Sequence, residues 1–101
     1  MNLSELTQAM HTFVRSMGWY DQHSPRPQTM RNLAISLSLE ASELLEHFQW
    51  DEELKDPVSL SDELADVMLY LLQLASIAGI DLEQAVLAKL EKNYHRNWDT
   101  G

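Results

Sequence analysis

Apolar positions recur at steps of three and four in four stretches of the chain, and nowhere with the period of two that marks a strand. Leu3, Leu6, Met10, Phe13 and Met17 predict a first helix over residues 3–17, stopped at Gly18. Residues 19–28 hold Pro25 and Pro27 and read as a loop. A second helix is predicted over about 30–49, with Thr29 as its N-cap. Residues 51–60, with Pro57, read as a connector. A third helix is expected from about Leu60, where Ser59 and Asp62 have capping-box spacing with Asp in place of Glu or Gln, and it ends at Gly79. Asp81 and Gln84 repeat that spacing and open a fourth helix, running to about Arg96 or Trp98. Short connections predict an all-α, antiparallel four-helix bundle.

The third helix is apolar nearly all round, through Leu64, Val67, Met68, Leu69, Leu71, Leu72, Leu74 and Ile77. Such a helix is covered on every side. A chain of 101 residues forms one domain, over residues 1–101, and has too few helices to surround one of its own. The bundle-like subunit is therefore expected to be completed by homo-oligomerisation.

Composition narrows the chemistry. A net charge of −9 argues against a nucleic-acid polymer or an anionic membrane as partner. The longest apolar stretch, residues 67–80, is broken by Gln73 and fits a core helix better than a membrane span. The absence of cysteine removes disulfides, thiolate catalysis and cysteine-based zinc sites. Together with an N-terminus that lacks a basic segment before an apolar run, it leads us to expect a cytoplasmic protein.

Within this pattern, acids stand where leucines are expected. On a wheel of about 100° per residue, Leu33, Leu44 and Leu37 lie about 20°, 40° and 60° from Glu40, which places Glu40 in the apolar stripe. Glu43 lies about 60° to its other side, and Glu46 about 120° away, nearer solvent. On the third helix, Glu63 and Asp66 share a face with Val67, Tyr70 and Leu74. A buried ionised carboxylate costs several kcal/mol unless it is paired. Two pairs converging from two helices make sense around a divalent cation, and an all-oxygen donor set points to Mg2+, or Mn2+, rather than zinc.

The fourth helix carries the opposite charge. Lys89, Asn93 and Arg96 fall on one face and suit phosphate oxygens. Acids, cation and basic face together suggest metal-assisted phosphoanhydride hydrolysis.

The same residues carry a resemblance. Glu40-Ala-Ser-Glu43 followed by Glu63-Leu-Ala-Asp66 resembles the E-x-x-E…E-x-x-D signature of the MazG-like all-α nucleoside triphosphate pyrophosphohydrolases. The run "RNLAISLSLE", the segment "EHFQW" at residues 46–50, Tyr70, Trp19 and the K-x-x-x-N-x-x-R of Lys89, Asn93 and Arg96 are also similar to small single-domain members, including deoxycytidine triphosphate pyrophosphatases. The resemblance implies a single MazG-like helical domain. It implies hydrolysis of a (deoxy)nucleoside triphosphate between the α and β phosphates, to monophosphate and pyrophosphate. It further implies magnesium, a homodimer or tetramer, and a role in cleansing the nucleotide pool. On this basis Glu40, Glu43, Glu63 and Asp66 are the metal ligands, one of them orienting the attacking water. Lys89, Asn93 and Arg96 contact the triphosphate, and Trp19, Trp50 and Tyr70 are candidates for the nucleoside pocket. The chain departs from small relatives at residues 20–30, where the segment is longer and Met30 replaces an expected proline. That departure bears on base selectivity rather than on the chemistry.

Other readings stand beside these. The acids also suit a solvated face or intersubunit ion pairs, and the basic residues a helix C-terminus. Tyr70, Trp19 and Trp50 also suit core packing. Glu46 reads as solvated surface, and His47 either supports the acids or lies on the surface. His11, His23 and His95 have no role assigned from the sequence. A ferritin-like di-iron site is set aside, since Glu46 and Asp66 stand where its histidines are needed. The remaining alternative is a non-catalytic helical interaction or regulatory module.

Overall fold

The computed structural model describes residues 1–97, all helix and connection. Four helices follow one another: α1 (Leu3–Ser16), α2 (Met30–Glu46), α3 (Pro57–Ile77) and α4 (Leu82–Tyr94). Each starts on a side-chain cap that satisfies an otherwise unpaired N–H. Asn2 accepts from the N–H of Glu5, Thr29 from Asn32, Asp56 from Ser59 and Asp81 from Gln84. The third cap corrects the sequence reading. Helix α3 begins at Pro57, because Asp56 is the cap and a proline at the first helical position needs no N–H partner. Helix α2 is shorter than expected and ends at Glu46, with His47 as its C-cap. Helix α4 ends at Tyr94, before Arg96; Trp98, the other end considered, lies outside the described residues.

Helix α3 is the centre. Helix α2 packs along it most extensively and α1 next, while α4 touches it least. At that turn Gly79 takes φ 72°, a conformation that side-chain-bearing residues resist, and α4 leaves α3 at 101°. No single helix is long and apolar enough to cross a membrane among the described residues.

The core is small. Met10, Val14, Leu33 and Leu72 are its buried apolar side chains, and α4 buries none. On α3, Leu64, Leu69, Leu71 and Ile77 remain exposed, as do Val86, Leu87 and Leu90 on α4. The accessible surface is 7848 Å², about 2,000 Å² above the norm for a folded monomer of this mass. The radius of gyration is 16.3 Å, against about 13 Å for a compact domain of 100 residues. One chain thus leaves uncovered much of the apolar surface of its own central helix.

Candidate active site

The acidic pairs face each other across the α2–α3 seam. Glu40, Glu43 and Glu63 are half-buried, and Asp66 is exposed at the edge of the seam. Burial raises the pKa of the Glu40 carboxyl above its ordinary range; the charge of Glu43, a side-chain hydrogen bond with it, and the charges of Asp66 and Glu63 push the same way. Glu40 thus feels the charges of three other acids, from both helices. Glu46 points to solvent.

Helix geometry accounts for this convergence. Glu40 and Glu43, three residues apart, share a side of α2, and Glu63 and Asp66 do the same on α3. The tight α2–α3 packing brings the two sides together. The donor set suits a hard divalent cation, and the charges of Glu43, Asp66 and Glu63 add to the burial that holds Glu40 above its ordinary pKa. Among the described residues, no three His, Asp or Glu side chains are drawn close enough to hold a metal ion.

A histidine completes the seam. His47, at the C-terminal end of α2, places Nε2 2.6 Å from Oε2 of Glu63. The sequence left His47 undecided between the acids and the surface, and the structure puts it on the acids. Its position four residues after Glu43 was the signal, but the partner depends on the approach of α3.

Next to the acids lies a cavity of about 520 Å³, lined in part by Trp19, Arg26, Leu33, Asp66, Tyr70 and Gln73. Asp66 belongs to both the acid cluster and this cavity. Along α3, Asp66, Tyr70 and Gln73 follow one another at steps of four and three, so the cavity runs about 10 Å along the helix from its acidic end. Its volume is in the range of small-molecule sites, and its walls are mainly apolar with a few polar groups, as such sites require.

The loop between α1 and α2 closes one side of the cavity. The Arg26 guanidinium lies 4.5 Å from the centre of the Trp19 ring, and its Nη2 donates to the Tyr70 hydroxyl at 3.4 Å. Gln73 Nε2 donates to Gln28 Oε1 at 2.8 Å, and Gln28 Nε2 donates to the carbonyl of Arg26 at 2.7 Å. The sequence reading missed Arg26. Its place between Pro25 and Pro27, in the segment longer than in small relatives, was the available signal.

The remaining candidates fall differently. Trp19 and Tyr70 line the cavity; Trp50 does not and is 90% exposed beyond the end of α2. Lys89 and Asn93 lie on α4, and Arg96 just beyond it; none of the three lines the cavity. Because α4 turns away from α3, its basic face is not part of the seam built by α2 and α3 within one chain.

Residues 35–100 match the MazG-like family, and the chain belongs to it. Among similar proteins of known structure is a pyrophosphatase from Archaeoglobus fulgidus, 37% identical, with a TM-score of 0.74 over 92% of this chain and 89% of that one. The chain is also 35% identical to the dCTP pyrophosphatase 1 of Bos taurus and 33% identical to that of Mus musculus, over 93% of its own length. It spans 58% of the length of these two relatives.

Proposed function

We propose that this protein is a nucleoside triphosphate pyrophosphohydrolase, cleaving a (deoxy)nucleoside triphosphate between the α and β phosphates to give a monophosphate and pyrophosphate. One observation carries the reading: a four-carboxylate cluster opens, through Asp66, into an aromatic-lined cavity of nucleoside size. The names of the relatives, pyrophosphatases and dCTP pyrophosphatases, support the same class. Removal of unwanted deoxynucleotides from the cytoplasmic pool is the role that fits.

In this reading Glu40, Glu43, Glu63 and Asp66 hold Mg2+, or Mn2+ in its place. When bound, the cation supplies positive charge against the triphosphate oxygens and lowers the pKa of water. The chain's own residues do the rest. The α2–α3 packing keeps the two helices that carry the carboxylates side by side before substrate arrives. Trp19, Tyr70 and the Pro25–Pro27 strap enclose the nucleoside and exclude water from it. Lys89, Asn93 and Arg96 bind the triphosphate from α4 and its end, brought to a seam by assembly of a homodimer or tetramer. Trp50, exposed in one chain, reaches a nucleoside by the same assembly. The excess apolar surface supports that association, since a standard protein interface buries about 1,600 Å² in total.

Incubation with a panel of nucleoside triphosphates and magnesium tests the activity. Monophosphate plus pyrophosphate is the expected product pair, lost on chelation. Orthophosphate plus diphosphate overturns the cleavage position, and no turnover with any base overturns the reading. Light scattering after size exclusion tests the assembly, where a monomer at micromolar concentration is the contrary result.

A further inference from the structure

We propose that His47 is a positioning residue for Glu63, holding one oxygen of that carboxylate so that the other is left for a divalent cation. This rests on the reading above that the four acids bind such a cation.

The contact is short, 2.6 Å between Nε2 and Oε2, and shielded, with 13% of the His47 side chain and 23% of the Glu63 side chain exposed. Hydrogen bonds of this length to an ionised carboxylate are among the stronger ones in proteins. Because a carboxylate oxygen only accepts, Nε2 of His47 is the donor. The backbone holds the histidine in place. His47 caps α2, with its own N–H donating to the carbonyl of Leu44 and the N–H of Phe48 to that of Leu45, and the Phe48 ring lies 6.3 Å from its own. Its side chain therefore starts from a fixed point one turn beyond Glu43.

The consequence for Glu63 is loss of freedom. A glutamate side chain has rotamer entropy to lose when it is ordered. Glu63 has met part of that cost before any cation arrives, because the histidine already selects its orientation. Carboxylates that ligate metals are commonly held by such a hydrogen bond, and losing it typically lowers metal affinity about 10- to 100-fold. A simple tie between the ends of α2 and α3 is the competing role. That role predicts a change in stability with no specific change in cation affinity.

Mn2+ binding to the full chain, followed by electron paramagnetic resonance of the free ion, separates the two. His47→Phe keeps a ring and removes the donor. His47→Gln keeps an N–H at similar reach. We expect His47→Phe to weaken Mn2+ binding by about tenfold or more and His47→Gln to restore it to within about threefold of wild type. Thermal melts of the metal-free proteins run alongside. Unchanged Mn2+ affinity in His47→Phe overturns the inference. So does equal weakening in both variants. Should His47→Phe not fold, His47→Ala is measured by the same criteria. A wild-type chain that binds no Mn2+ overturns the cation reading itself, an outcome distinct from failure of His47 alone.

Discussion

Two half-buried polar clusters, each with a histidine, flank α3 and are built on opposite principles. In the first, His11 is buried between α1 and α3, with Nδ1 2.7 Å from the Tyr20 hydroxyl and Nε2 2.7 Å from the Ser76 hydroxyl. Gln73 Nε2 donates to that same tyrosine at 3.2 Å and onward to Gln28. Every partner is a neutral group, and the imidazole is held below its ordinary pKa by burial and by the nearby Arg15 charge. In the second, His47 meets Glu63 at the edge of four carboxylates, and Glu40 is held above its ordinary pKa. The first cluster closes on itself and fixes the loop that walls the cavity. The second sets four carboxylates beside one histidine. A polar cluster satisfied from within contributes structure, whereas clustered carboxylates with a raised pKa mark a candidate for function.

The comparison breaks most visibly on activity. Glu63→Gln or Asp66→Asn is expected to lower turnover of the best nucleoside triphosphate by about a hundredfold or more while circular dichroism stays helical. Activity surviving in both variants removes the acids from the site. The same seam has the opposite sign for stability: Glu40→Gln should raise the thermal midpoint of the metal-free protein, since it removes a charge opposed by burial and by three neighbours. A lower midpoint would mean that the charges are balanced after all.

The His11 cluster is sharpened by Tyr20→Phe. That change leaves the ring in place and deprives His11 Nδ1 and Gln73 Nε2 of a shared partner. Denaturant titration should show a loss of about 1–3 kcal/mol. The two clusters also respond oppositely to acid. A histidine held below its ordinary 6.5 adds stability that is present above that pH and is lost as pH falls from 6.5 through the lowered value. A carboxyl held above 4.5 costs stability at neutral pH, and the metal-free protein regains it as pH falls through the raised value towards 4.5. Melts across this range should therefore show a steeper loss on acidification in Glu40→Gln than in wild type. Identical profiles would uncouple these groups from folding.

The smallest effect is expected at the mouth of the cavity. Arg26→Ala removes the guanidinium from the Trp19 ring and the Tyr70 hydroxyl. Relative kcat/KM values across bases should shift by up to about tenfold, with the midpoint nearly unchanged. A uniform loss for all bases would assign Arg26 to the shared triphosphate instead.

Much of this was legible along the chain. Four helices, two of their caps (Thr29 and Asp81), the loop at 19–28 and the inward face of Glu40 follow from periodicity and capping chemistry, because an α-helix carries a fixed angle per residue. Membership of the MazG-like family follows from the spacing of the two acidic pairs, which is written in one dimension. The start of α3 was misplaced, because Ser59 mimics a cap and Asp56, one residue before Pro57, is the stronger one.

What only the tertiary structure decided is where separate helices meet. Local spacing could not say that His47 would reach Glu63 rather than solvent, because the partner lies 16 residues away on another helix. Nor could it say that His11 would be enclosed by Tyr20 and Ser76, or that Arg26 would settle on Trp19 beside the cavity. The angle of α4 has the same origin. A turn through Gly79 can point a helix in several directions, and here it points away from the seam, leaving in one chain an apolar face and a basic face that the sequence had placed in the bundle. Angles within a helix are fixed by its backbone, whereas contacts between helices depend on packing that brings distant residues together.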